Sequence, residues 1–213
     1  MNNSLPDTTT TQAKRAFWLR HLHQWHWISS AMCLIAMMLF AITGITLNHS
    51  AQVEAHAVVT QKNGTLPADV MHDLRSAQSE ESSTLPDAAR VWLKNTLAIE
   101  VNQQAPEWSP EEVYVPLPRP GGDAWLRIDM QSGALEYELT DRGWISYFND
   151  LHKGRNAGTA WPWFLDLFAA ACLVFCITGL LLLKMHAANR PSTWPFVVTG
   201  LVLPLLIAVL FIH

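Results

Sequence analysis

From Trp27 to Leu47 the chain runs for 21 residues without a charge, WISSAMCLIAMMLFAITGITL. Trp161 to Leu183 is a second such run, broken only by Asp166 near its start, and Trp194 to Ile212 is a third. At ~1.5 Å rise per residue, each is long enough for the ~30 Å hydrocarbon core of a bilayer. Three transmembrane helices are predicted, with soluble-type patterning confined to the segment between the first two. There, Pro67–Ala77 and Pro86–Leu97 each carry a proline near the start followed by helical apolar spacing (Val70, Leu74; Ala89, Trp92, Leu93, Leu97), as for a helix with proline at its first position. The period then drops to two. Val113–Leu117, Ala124–Met130 and ALEYEL from Ala134 read as strands joined by PRPGGD and QSG turns, an antiparallel meander. The fold class is an α-helical membrane protein with three transmembrane helices and a small α+β domain inserted between helices 1 and 2.

The predicted organisation is a polar, Thr-rich disordered tail over 1–13, then an interfacial segment and transmembrane helix 1 over 14–49. The α+β domain follows over 50–150, helix 2 over 151–186, a loop over 187–193 and helix 3 over 194–213. Half of the chain is hydrophobic and only 15% charged, in keeping with membrane embedding. Lys14, Arg15 and Arg20 precede the first run, and Lys184 and Arg190 lie between the second and third, so both segments are expected on the cytoplasmic side. The central domain and the C-terminus then lie outside, with Lys153 and Arg155 against the rule. Ala55-His56-Ala57 looks like a signal-cleavage site, but the apolar run before it exceeds the ~7–15 residues of a signal core, which favours a retained helix. Cys33, Cys172 and Cys176 all fall inside the spans and read as packing residues rather than a disulfide framework. Between 50 and 150 there are 16 acidic and 7 basic residues, an acidic surface that argues against nucleic acid as a partner.

The candidate chemistry lies in the histidines. His21, His23 and His26 stand at the inner end of helix 1, His49 at its outer end, His152 before helix 2 and His186 after it. His26 and His49 are 23 residues, or ~35 Å, apart along one helix. Two facing pairs follow, His49 with His152 outside and His26 with His186 inside. Histidines paired from adjacent helices can hold a haem iron, with the macrocycle in the apolar space between. Thr43-Gly44 and Thr178-Gly179 offer small surfaces for a flat ring or a second helix. The other reading is that these imidazoles are interfacial, as amphipathic rings commonly are. A tetrahedral zinc set is disfavoured by spacing.

Four stretches, HQWHW (His23–Trp27), ITGITLNH (Ile42–His49), DLHKGRNAG (Asp150–Gly158) and ITGLLLL (Ile177–Leu183), resemble the motifs of the PepSY-associated transmembrane proteins in order and spacing. In that family helix 1 opens on an H-R-W-H-like sequence and closes on T-G-x-x-L-N-H, and helix 2 is preceded by L-H-x-G. LRIDMQSGALEYE is similar to the strand-turn-strand of a PepSY domain, so the resemblance covers nearly the whole chain. Gln24 and Trp27 depart from residues common in the family, and larger members have four spans where this chain has three.

The resemblance implies a haem b protein of a bacterial inner membrane, with a periplasmic PepSY-like domain, passing electrons outward to reduce Fe³⁺ or a ferric siderophore in support of iron uptake. It implies an oxidoreductase whose haem ligands include His26, His49 and His152, with His23 matching the first motif histidine; His186 matches no motif. One or two haems per chain, or one shared across a homodimer, are compatible with it. No flavin or nicotinamide motif is present, so the electron donor is expected to be a separate cytoplasmic molecule. Lys153 and Arg155, beside Asn149, Asp150 and His152, are candidate contacts for haem propionates or an anionic ferric chelate, or for lipid headgroups. The alternative is a non-redox, membrane-anchored PepSY module that binds a periplasmic protein or peptide.

Overall fold

A computed structural model describes residues 8–52, 56–102 and 104–212. Residues 1–7 of the expected tail, Ala55 of the cleavage-like site and His213 lie outside the described residues. The chain divides into two compact units. Leu39–Trp163 forms one, and the helical segments on either side of it form the other.

The flanking unit is built from the first part of α1 (Thr8–Asn48) with α5 (Ala160–His186) and α6 (Thr193–Phe211). All three helices are long and apolar enough to cross a membrane. α1 starts at Thr8, ahead of the expected onset near Lys14, so residues 8–13 of the expected disordered tail are helical. The first unit packs through a few small and polar side chains: Ser29 is 3% exposed and Cys33 fully buried, while Trp27, Ile35 and most of α6 lie open, as lipid-facing side chains do. Arg15 donates to the carbonyl of Met185 at 3.2 Å, tying the head of α1 to the end of α5. A short 3-10 turn, Ala187–Asn189, leads into α6.

The second unit contains the end of α1, a five-stranded sheet and three helices. β1 (Val58–Thr65), β2 (Glu107–Trp108), β3 (Glu112–Pro116), β4 (Gly122–Asp129) and β5 (Ala134–Asp141) form a wholly antiparallel sheet in the order β1-β5-β4-β3-β2. β3 and β4 bury every second residue, Val113 and Val115 on one and Ala124, Leu126 and Ile128 on the other. α2 (Ala68–Ser79) and α3 (Asp87–Leu97) cover that face with Val70, Met71, Leu74, Ala89 and Leu93. Pro67 and Pro86 occupy the N-cap rather than the first helical turn expected for them.

Two elements depart from the expected organisation. Val58–Thr65, which the hydrophobic pattern does not mark as a strand, is an edge strand paired with β5 over its full length. Helix 2, expected to begin at 151, is divided: α4 (Gly143–His152) ends at His152, and α5 begins at Ala160. The break contains three left-handed residues, Gly154, Asn156 and Gly158, which an α-helix cannot pass through. His152 therefore terminates a separate short helix instead of opening a transmembrane one. The Trp161 indole donates to the carbonyl of Leu151 at 2.8 Å, beside the backbone N–H of Gly154 that bonds the same carbonyl at 3.0 Å.

Candidate functional site: two histidine clusters

In the unit of flanking helices, His23, His26 and His186 line one cleft of about 620 Å³. Its other walls are Gly179, Leu182 and Leu183 of α5, then Arg190 and Thr193. This volume falls within the range usual for small-molecule and cofactor sites, ~300–1,000 Å³. The rings of His23 and His186 are 6.1 Å apart and nearly perpendicular. His26 stacks on Phe175 at 4.6 Å, within hydrogen-bond reach of the Thr178 hydroxyl at 3.0 Å and the Phe175 carbonyl at 3.2 Å. His186 lines the same cleft as His23 and His26, and its ring contact is to His23 and not to His26.

The hydrogen bonds set the chemistry of these rings. Nδ1 of His23 lies 2.7 Å from the carbonyl of Leu19, and Nδ1 of His186 lies 2.8 Å from that of Leu182. A carbonyl only accepts, so Nδ1 carries a proton in both, and in the neutral ring Nε2 keeps its lone pair. That is the form in which a neutral imidazole binds a metal. Among the described residues, no three His, Cys, Asp or Glu side chains converge as a metal cage. The cleft instead offers separate imidazoles, apolar walls and one guanidinium, residues of the types that could hold a haem. Gly179 belongs to the fit: a Cβ there would stand 3.3 Å from Cε1 of His26.

In the central unit the expected outer pair does not form within the chain. Nδ1 of His152 lies 2.6 Å from the hydroxyl of Thr43, and its ring packs on Phe40 at 4.7 Å and against Gly44. His49 is exposed, with Nδ1 3.0 Å from the carbonyl of Ile45. At about 100° per residue, His49 lies about 120–180° around α1 from Phe40, Thr43 and Gly44. Among the described residues the two imidazoles have different partners, the Ile45 carbonyl for His49 and Thr43, Phe40 and Gly44 for His152.

α4 is held in place by buried polar contacts. Thr46 donates to Oδ1 of Asn149 at 2.6 Å, one turn from the contact between Thr43 and His152. Asp150 accepts from the backbone N–H of Gly121 at 2.9 Å, which joins α4 to the sheet domain. Asn149 and Asp150, read as neighbours of an iron site, thus bear on the structure of the joint. Lys153 and Arg155 are exposed in the turn after α4.

One signal in the sequence went unread. Phe40-Ala-Ile-Thr-Gly44 and Phe175-Cys-Ile-Thr-Gly179 share the pattern F-x-I-T-G, and each receives a histidine from another helix on its phenylalanine, threonine and glycine. No curated protein and no solved structure matches the chain. The model of the PepSY_TM-like family matches residues 17–213, spanning the three apolar helices, the sheet domain and both histidine clusters, and the chain belongs to that family.

Proposed function

We propose that the protein is a haem b oxidoreductase of a bacterial inner membrane, with its sheet domain in the periplasm, that reduces ferric iron or a ferric chelate there in support of iron uptake. The observation that carries this reading is the cleft of His23, His26 and His186, with lone pairs left on Nε2, leucine walls and Arg190 at its edge. When bound, the haem supplies reversible one-electron chemistry, which delivers one electron to each Fe³⁺ and releases Fe²⁺. His23 and His26 from α1 and His186 from α5 are the residues that would hold the iron. Leu182 and Leu183 would exclude water from a haem bound in the cleft, and Arg190 would neutralise its negative charge. Lys14, Arg15, Arg20, Lys184 and Arg190 support placing the cleft end on the cytoplasmic side, where a separate reduced donor supplies the electron. No step is assigned to His49 and His152 as a pair, since their side chains have separate partners.

An absorption spectrum of the full chain purified in detergent tests the reading. Haem bands that shift on dithionite reduction are expected, weakened or moved in His26→Ala and His186→Ala. The reduced protein, mixed with ferric citrate and a ferrous-specific chelator, is expected to reoxidise as ferrous complex appears. A colourless protein that takes up no added haem would overturn the proposal in favour of a membrane-anchored module that binds a periplasmic protein or peptide.

A further inference from the structure

We infer that the two F-x-I-T-G segments are copies of one histidine cradle, in which Thr43 and Thr178 are positioning residues that hold His152 and His26 with the proton on Nδ1, and that at His26 this presents Nε2 as the ligand nitrogen. The ligand role rests on the haem reading above; the tautomer does not.

The argument begins with the threonine proton. On a helix, a threonine hydroxyl commonly donates back to the carbonyl three or four residues earlier. Thr43 does so to Leu39 at 3.0 Å and Phe40 at 3.1 Å, and Thr178 to Val174 at 2.7 Å and Phe175 at 3.0 Å. With its single proton on one of these carbonyls, each hydroxyl oxygen is left to accept from an approaching ring nitrogen. The nitrogens that approach are Nδ1 of His152 at 2.6 Å and Nδ1 of His26 at 3.0 Å. In that arrangement both donate, which in the neutral ring leaves the lone pair on Nε2. The phenylalanine three residues before each threonine supports the ring, at 4.7 Å for His152 and 4.6 Å for His26. The following glycine leaves room for Cε1.

The two cradles differ in one respect. His26 also meets the carbonyl of Phe175 at 3.2 Å, a second acceptor that favours the same tautomer. For His152, Thr43 is the hydrogen-bond partner found, so its tautomer depends on that hydroxyl alone. The threonine substitution at Thr43 should therefore have the larger effect.

The test is ¹⁵N NMR of histidine-labelled, haem-free full chain in detergent, with His26 and His152 signals assigned by difference against His26→Ala and His152→Ala. The expected wild-type result is a protonated Nδ1 and an unprotonated Nε2 at both. Thr43→Val is expected to abolish the preference at His152, Thr178→Val to weaken it at His26, and the serine variants to restore both. Either ring protonated on Nε2 in the wild type, or an unchanged His152 tautomer in Thr43→Val, overturns the inference. In haem-loaded protein, Thr178→Val is expected to weaken haem binding by about 10–100-fold, as for other partners of metal-bound histidines, and Thr178→Ser to leave it near wild type. Equal losses in the two variants would assign Thr178 a packing role only. A protein that takes up no haem yet shows the expected tautomers refutes the haem reading and leaves the cradle standing.

Discussion

His26 packs onto α5 at Gly179, where a β-carbon would come within 3.3 Å of Cε1. At the other cradle Gly44 leaves more room, 3.7 Å to Cε1 of His152, an ordinary van der Waals distance. The same substitution should therefore have opposite outcomes at the two positions. Gly179→Ala is expected to displace the His26 ring and disturb the haem spectrum, despite alanine's better helix propensity, worth ~1 kcal/mol. Gly44→Ala should be neutral or slightly stabilising in thermal melts of the full chain. Matching effects at both glycines would contradict the closer approach at His26.

Thr46 and Asn149 form a contact whose two ends are unequal. The Thr46 hydroxyl has a second acceptor, the carbonyl of Thr43 at 2.9 Å, whereas Asn149 is only 8% exposed and its Oδ1 receives the Thr46 proton. Removing the asparagine side chain leaves the hydroxyl satisfied, at a cost near that of one net hydrogen bond, ~0.5–1.5 kcal/mol. Removing the hydroxyl strands a buried acceptor, which costs ~1–3 kcal/mol. Thermal unfolding in detergent should rank Thr46→Val as more damaging than Asn149→Ala, and the reverse order would show that the acceptor finds another donor.

The turn before β4 depends on two adjacent glycines for different reasons. Gly121 has φ +76° and a Cβ on it would come within 2.8 Å of Tyr147 Cα, while a Cβ on Gly122 would collide with the carbonyl oxygen of Thr140 on β5. Neither neighbour is the free end of a flexible side chain. Gly122→Ala must push β4 and β5 apart where Gly122 is in register with Asp141, and it is expected to lower the thermal midpoint more than Gly143→Ala. Gly143 also has positive φ but open space around it, so its cost is backbone strain alone, ~1–3 kcal/mol.

What was legible from sequence and what was not divides along physical lines. Charge-free runs located the three long helices because length and apolarity are sufficient to define a span. β1 escaped because VVTQKNGT is an exposed edge strand with little side-chain alternation, specified by backbone pairing with β5. The division of α4 from α5 was hidden by the apolar residues of Trp144–Leu151, although Gly154, Asn156 and Gly158 supply the left-handed positions that end the helix. Histidine spacing gave height along a helix but not direction around it. It placed His186 near the α1 cluster, yet paired His49 with His152 across a helix whose turn separates them. The repeated F-x-I-T-G would have supplied the missing direction, since it names the face that each imidazole meets.

The turn between β4 and β5 yields a prediction about acid stability. Asp129 accepts from the backbone N–H and the hydroxyl of Ser132, each at 2.7 Å, and from the N–H of Gln131 at 3.1 Å. The Ser132 backbone bond first, then its hydroxyl, hold the carboxyl below the usual aspartate range, because bonds to the charged form favour it. The unfolded chain takes up this proton near the ordinary value of about 3.9, and the folded chain only at lower pH. The stabilisation is therefore fully present above that value and is lost as pH falls through the folded pKa. Ser132→Ala removes one of the bonds, so its melting point should lie below wild type by a constant margin at neutral pH. Below the ordinary aspartate pKa the margin should narrow as both carboxyls become protonated. Circular dichroism melts of both proteins in detergent between neutral pH and about pH 2 check this, and a margin that stays constant through the acid range would show that Ser132 acts by the turn geometry without the Asp129 charge.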